Sequence, residues 1–231
     1  GVATAVVLLV LNVKGLFAII GLSCTAMMFA AHVQEFIQGI RARRKVTKEN
    51  VLKAAWKLTA KNQRRYGGYI VHIGIAVMAV GIISSHAYSS EVLETVEAGE
   101  SFTIGNYELT FKELTEHMDN GNGIVVANID LKYKGKGAGE VKPEKTFYET
   151  WPEPATEVAI KTTWKEDLYV VLSSWEDKYK ATFQVKVNPF VSWIWIGGLI
   201  LIFGTVVAVV GGKTKSYQLI RVTKEILKEG A

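Results

Sequence analysis

The sequence predicts an integral membrane α-helical protein with an extracytoplasmic all-β domain, a sandwich or small barrel, inserted between two of its helices. Three observations lead to this fold class. The chain has 231 residues, 49% of them hydrophobic, which is too apolar and too segmented for one ordinary soluble domain. Long uncharged stretches alternate with basic blocks. The region 89–187 instead carries the period-two pattern that is typical of β-strands.

Three uncharged stretches are long enough to cross a bilayer. They contain 20, 25 and 26 residues, at 15–34, 66–90 and 187–212, and a helix needs about 20 residues to span the hydrocarbon core. The uncharged stretch 1–13 is shorter and would reach only roughly 20 Å as a helix. We therefore expect 1–40 to form a transmembrane hairpin whose first helix is truncated from a longer polypeptide. A signal peptide is the alternative, but a basic n-region and a small-residue cleavage site are missing.

The distribution of charge predicts the orientation. Residues 41–65 carry ten Lys or Arg and one acid, whereas residues 87–189 carry eleven Lys and eighteen acids. Basic blocks beside apolar segments mark the cytoplasmic side and disfavour a nucleic-acid partner. We expect the turn Asn12–Gly15 to lie outside. The remaining segments are a basic cytoplasmic amphipathic segment at 41–65, a transmembrane helix at 66–88, an extracytoplasmic β domain at 89–187, a last transmembrane helix at 188–211 and a cytoplasmic tail at 212–231.

The basic segment contains apolar residues at helical spacing between its lysines. They are Val51, Leu52, Ala55, Trp56 and Leu58. An amphipathic helix on the inner membrane face, attracted by anionic lipid, accounts for this pattern. Binding of a partner or an anionic ligand is the alternative.

The external region shows alternating strands separated by turn signals. The strand-like stretches read "SFTIGNYELTFKEL", "GIVVANIDLKYKG", "TEVAIKTTW", "DLYVVLSSW" and "ATFQVKV", and the turn signals are Gly105-Asn106, Asn120 to Gly123, Gly135 to Gly139 and Pro152 to Pro154. Trp151, Trp164 and Trp175 are interpreted as core or strand-face residues. One His and one Met do not make a metal site, so His117 beside Met118 is interpreted as part of a polar surface turn.

The histidine inside the second long span is the strongest functional signal. On a helix, Gly68, His72, Ala76 and Ala79 share one face, so small residues flank the imidazole. Ionisable groups in a bilayer are costly and usually functional, and an imidazole on a smooth helix face is suited to ligate haem iron. A histidine that only hydrogen-bonds to a neighbouring helix is the alternative. A second face, with glycines at heptad spacing, suits close packing on another helix.

Several motifs resemble one family. "RRYGGYIVHIGIAVMAVGI", "PEKTFYETWPEPATEVAIKTTWKEDLYVVL" and "VNPFVSWIWIGGLI" resemble, in this order, a late transmembrane segment, the end of the external domain and the last helix of CcmF, the membrane haem lyase subunit of cytochrome c maturation. The resemblance runs from about residue 16 to 211. It implies a bacterial or archaeal inner membrane, and it implies that His72 is one of two intramembrane axial ligands of a b-type haem.

The resemblance also implies a function and a set of partners. The function is the attachment of haem to the C-x-x-C-H thiols of apocytochrome c. The implied partners are the remaining N-terminal part or a partner subunit of the lyase, a haem chaperone and other maturation proteins, apocytochrome c, and the lipid bilayer. The family's W-G-x-x-W-x-W-D motif and its other haem-related histidines do not occur in this chain. We therefore expect a C-terminal fragment or a naturally split subunit that is not catalytic by itself.

The other histidines and the cysteine receive weaker assignments. His32 and His72 lie at similar depth, roughly 13 and 10 Å along their helices from Arg41 and Arg65, so His32 is a second ligand candidate. Glu35, one turn away, offers it an ordinary hydrogen-bond partner instead. His86 is interpreted as a water-exposed residue near the external membrane interface. A role beside an external haem is the weaker alternative. Cys24 is interpreted as a small packing residue.

Two other classes of function compete with the haem lyase. A membrane-anchored scaffold or binding module, with an external β domain and no cofactor, is the runner-up, and it would not need the small-residue face around His72. A transporter subunit lacks support, because no span has a helix break or a paired charge.

Overall fold

The computed structural model describes residues 1–10 and 15–229, and beyond residue 210 it describes the backbone only. Most of the predicted turn Asn12–Gly15 lies outside the described residues. The elements in chain order are α1 (Val2–Val10), α2 (Leu16–Thr47), α3 (Val51–Lys61), α4 (Gln63–Ala87), β1 (Ser90–Glu97), β2 (Ser101–Ile104), β3 (Tyr107–Asp119), β4 (Asn122–Tyr133), β5 (Lys136–Val141), β6 (Glu144–Phe147), β7 (Ala155–Glu157), β8 (Ala159–Thr162), β9 (Glu166–Asp177), β10 (Lys180–Pro189) and α5 (Val191–Glu229).

The chain divides into a helical unit, Gly1–Ile83 with Trp193–Ala231, and a β unit, Ser84–Ser192. Among the described residues, three helical segments are long and apolar enough to cross a membrane, namely Leu16–Thr47, Gln63–Ala87 and Val191–Val210. The predicted fold class, a membrane helical protein with an inserted β domain, is therefore confirmed.

Two helices continue past the boundaries that we expected from the membrane pattern. Helix α2 runs to Thr47 instead of ending at residue 40, because the basic residues after Ile40 are good helix formers and nothing interrupts them. It ends where Lys48 adopts a left-handed conformation with φ 52°. The backbone of α5 is helical to Glu229, where the sequence predicted a separate tail from residue 212.

Helices α2 and α3 form a hairpin that one carboxylate holds together. Glu49, in the connection, forms ion pairs with Arg43 at 3.0 Å and with Lys57. Ala54 is fully buried, and a Cβ added to Gly39 would lie 2.8 Å from a methyl group of Leu58. The amphipathic helix expected in this segment is thus present, and it folds back along the end of α2.

Helices α4 and α5 approach closely through glycines. A Cβ on Gly67 would lie 2.6 Å from the nitrogen of Ala208, and a Cβ on Gly74 would lie 2.7 Å from the nitrogen of Leu201. Real Cβ atoms do not come this close to backbone, so these positions admit only glycine without rearrangement. The glycine face predicted from the sequence is therefore the contact surface for α5.

The β unit is a sandwich of two antiparallel sheets. One sheet has the strand order β1-β10-β9-β8, and the other has the order β2-β3-β4-β6-β7, with β5 also paired to β4. Large apolar side chains from both sheets fill the space between them, including the fully buried Leu109, Phe111, Ile129, Leu168, Leu172 and Phe183. The two-residue turn Asn120-Gly121 has φ of 47° and 86°, which fits a tight hairpin.

Three details of the predicted β domain were wrong. His117 and Met118 belong to β3, where His117 pairs with Ile124, and not to a polar turn. Trp151 and Trp164 are 68% and 64% exposed in loops instead of lying in the core. Trp175 does lie in β9 and packs against the core, as predicted.

Candidate functional site

His72 projects from α4 with one ring nitrogen engaged. Its Nδ1 lies 2.8 Å from the carbonyl oxygen of Gly68, one turn earlier. If Nδ1 carries the proton, it donates to this carbonyl, and Nε2 keeps its lone pair for a metal. The side chain is exposed within the described chain, so the ring is open to a further group.

His32 of α2 lies directly against His72. The two imidazole centroids are 4.7 Å apart, and the ring planes differ by 14°. Nδ1 of His32 lies 2.7 Å from the carbonyl oxygen of Met28. The similar depth predicted for the two histidines is therefore confirmed. The two rings are stacked side by side, whereas two histidines that bind one iron atom would approach it from opposite sides.

A polar cluster toward the start of α4 fixes α2 against α4. Arg65 donates to Glu35 at 2.8 Å and to the hydroxyl of Tyr69 at 2.7 Å. The ring of Tyr69 meets His32 edge-on, with centroids 5.4 Å apart. Glu35 thus binds Arg65, and His32 takes the Met28 carbonyl instead of the Glu35 partner that the sequence offered.

The small-residue face around His72 is only partly open. A Cβ on Gly68 would meet no atom within 4 Å, so the space beside the imidazole toward the start of α4 is free. Ala76, on the other side, is 2% exposed and is covered by the helical unit. The predicted small-residue face is therefore open at Gly68 and closed at Ala76.

The remaining candidate residues do not converge on a site. His86 and His117 are exposed, and the described residues hold no group of three or more His, Cys, Asp or Glu side chains placed to bind a metal ion. Cys24 is exposed, which contradicts its interpretation as a packing residue, whereas the adjacent Ser23 and Thr25 are buried.

Sequence reasoning missed the part played by Tyr69 and Arg65. A signal was present, because Arg65, Tyr69 and His72 follow each other at spacings of four and three residues and so share one side of α4. Nothing in the local pattern showed which helix that side would face.

The β unit matches the model of a known protein family. The model of the "CcmF C-terminal beta-sandwich" matches residues 87–189. A solved structure, "Cytochrome c Heme Lyase CcmF", aligns with a TM-score of 0.69 at 20% identity, covering 88% of this chain and 33% of that one. At this identity the alignment shows a shared fold.

Curated relatives extend the match into the helical unit. The cytochrome c-type biogenesis protein CcmF of Pseudomonas aeruginosa is 31% identical over 71% of this chain. CcmF of Escherichia coli is 33% identical over 60%, and NrfE of Haemophilus influenzae is 27% identical over 65%. The alignments cover 24%, 22% and 24% of those proteins, so this chain spans about a quarter of their length.

Proposed function

Because this chain belongs to the CcmF family and corresponds to its C-terminal portion, we propose that it is the C-terminal part or a subunit of a cytochrome c haem lyase. In this proposal His72 is an axial ligand of a b-type haem among the membrane helices, and the assembled protein helps to attach haem to apocytochrome c. The observation that carries it is the exposed His72 imidazole, with Nδ1 bonded to Gly68 and free space over that glycine.

The chain's own residues prepare this ligand. A proton on Nδ1, donated to the Gly68 carbonyl, would leave Nε2 available as a ligand, and the ring of His32 limits rotation of His72 from one side. A haem held by His72 would supply an iron atom that accepts the imidazole nitrogen and can change oxidation state. Because the ring of His32 is stacked on His72, a second ligand of the haem would come from the part of the relatives' sequence that precedes this region.

The proposal extends to location and partners. The charge asymmetry supports an inner-membrane protein whose β domain faces the side opposite the basic α2–α3 hairpin. The partners are the remaining N-terminal part of the lyase or a partner subunit, a haem chaperone with other maturation proteins, and apocytochrome c. Since the family's W-G-x-x-W-x-W-D motif does not occur in this chain, it should not form covalent cytochrome c when it is supplied without a CcmF-like partner.

Absorbance spectra of the assembled complex test the haem site. His72→Ala leaves a small side chain on a face with free space, so the protein should accumulate normally and lose the b-type haem or leave it high-spin. Gly68→Leu should have the same effect by filling the space beside the imidazole. His86→Ala and Gly198→Leu are matched controls, since His86 is exposed and a Cβ on Gly198 meets nothing within 4 Å.

The variant His32→Ala distinguishes between two sources of the second haem ligand, His32 itself and another part of the protein. If the second ligand comes from another part of the protein, its low-spin spectrum should be nearly intact. Equal haem loss in His32→Ala and His72→Ala would make these two the ligand pair. An unchanged low-spin spectrum in His72→Ala would remove the haem-ligand assignment altogether.

A further inference from the structure

A cleft opens between the two sheets of the β unit, at the end opposite the one where the chain enters and leaves. Its volume is about 440 Å³, which lies within the range of roughly 300–1,000 Å³ for ligand sites. It is lined by Glu116, His117, Met118, Gly123, Ile124, Val125, Phe147 and Trp175. The haem proposal makes no use of any of these residues.

The walls of the cleft are apolar side chains that the sandwich leaves uncovered. Met118 is 72% and Phe147 is 41% exposed, and Phe147 meets Trp175 edge-on with centroids 6.2 Å apart. These side chains continue the buried core beyond Val125, because the β3–β4 hairpin runs past the point where the core ends. Exposed Met, Phe and Trp grouped in a concavity are typical of a binding surface.

The rim of the cleft is acidic. Glu116 lies in its lining, Asp119 ends the same strand, β3, and an oxygen of Glu149 lies near the β3–β4 turn, 3.9 Å from a Cβ placed on Gly121. Within the described part of the chain, none of these three carboxylates forms an ion pair, whereas Lys178 is already paired with Glu113. The field at the cleft therefore favours a cation.

One strand edge beside the cleft has no hydrogen-bonded strand partner in the part of the chain that the structure describes, although β6 and β7 lie near β9. Strand β8 pairs only with residues Asp167 to Val170 of β9. From Val171 to Asp177 the outer edge of β9 has no strand partner among the described elements, and Trp175 lies in this part. Unpaired backbone groups on a sheet edge accept an additional extended strand.

We propose that this cleft binds an extended, positively charged segment of a partner polypeptide. A large apolar side chain of the segment inserts between Met118, Phe147 and Trp175. Lys or Arg side chains on either side lie against Glu116, Asp119 and Glu149, and the main chain pairs with the open edge of β9. This inference does not depend on haem binding, so it stands or fails separately from the function proposed above.

The test uses the full chain in nanodiscs of zwitterionic lipid, with empty nanodiscs as the blank. The probe is a fluorescent peptide with alternating lysine and large apolar residues, and its counterpart has glutamate at every lysine position. Fluorescence anisotropy should show saturable binding of the lysine peptide at least tenfold tighter than that of the glutamate peptide, and added salt should weaken it.

Two variants locate the site. Met118→Ala should weaken binding by about tenfold, since it truncates an apolar side chain that becomes buried, and Glu116→Lys should weaken it at low salt. Leu93→Ala is the matched control, because Leu93 is 64% exposed on β1, away from the cleft lining. Any of three results would overturn the proposal. The two peptides could bind with equal affinity, Met118→Ala and Leu93→Ala could have equal effects, or a second copy of the chain could occupy the cleft.

Discussion

Replacing Gly74 by alanine should separate α4 from α5. The added Cβ would lie 2.7 Å from the nitrogen of Leu201, 2.8 Å from the carbonyl oxygen of Gly197 and 3.0 Å from the Cα of Leu201. All three are backbone atoms, so no side chain can rotate away, and the two helices must move apart. Close backbone approach is what binds such helices together in a membrane.

The size of the effect follows from two opposing contributions. Overpacking a tight contact costs about 1–3 kcal/mol, whereas alanine is about 0.8–1.0 kcal/mol better than glycine in a helix interior. We therefore expect Gly74→Ala to lower the free energy of unfolding by up to about 2 kcal/mol. Gly198→Ala is the matched control on α5. A Cβ there meets nothing within 4 Å, so only the favourable helix contribution remains.

The assay is denaturant unfolding of the purified protein in one detergent, followed by a probe of helix separation such as fluorophores on α4 and α5. Gly74→Ala should unfold at lower denaturant than the unmodified protein, and Gly198→Ala should not. If both variants have the same midpoint, the inference of glycine-mediated contact between α4 and α5 is wrong.

Three further outcomes are expected. Protease added to sealed inverted vesicles should leave region 89–187 intact, and cleavage there would contradict the predicted orientation. The ion pair with Lys57 and, to a smaller extent, the ion pair with Arg43 lower the pKa of the Glu49 carboxyl group from 4.5 to about 2. Its contribution to stability should therefore be complete above pH 4.5 and disappear as the pH falls toward 2, so unfolding curves of the unmodified protein and Glu49→Gln should converge in acid. Phe183→Ala, at a fully buried core position, should destabilise the β unit by about 3–5 kcal/mol in thermal unfolding, and a loss as small as that of the exposed Leu93→Ala would refute the assigned core.

The sequence predicted strands well where a strong period was bounded by turn residues. The stretch from Gly123 to Tyr133 alternates apolar and polar residues and became β4, and the Asn120-Gly121 turn before it was recognised from its residue types. Strands β1, β5 and β6 were missed, and most of the stretch Gly135 to Gly139, which was interpreted as a turn, belongs to β5. Three glutamates in β1 face solvent along an edge strand, β5 contains two glycines, and β6 has four residues. None of these strands contains enough apolar alternation to be detected without its partner strand.

By itself, the sequence determined the three membrane segments, the inserted β domain and the placement of His72 on a helix face with small neighbours. These properties follow from hydropathy and periodicity, which are local along the chain. Only the tertiary structure decided that His72 stacks on His32, that Arg65 binds Glu35, and that Ala76 is covered while the space over Gly68 stays open. The physical reason is that periodicity shows which residues share a face, whereas the rotation and pairing of helices depend on packing between segments far apart in the chain.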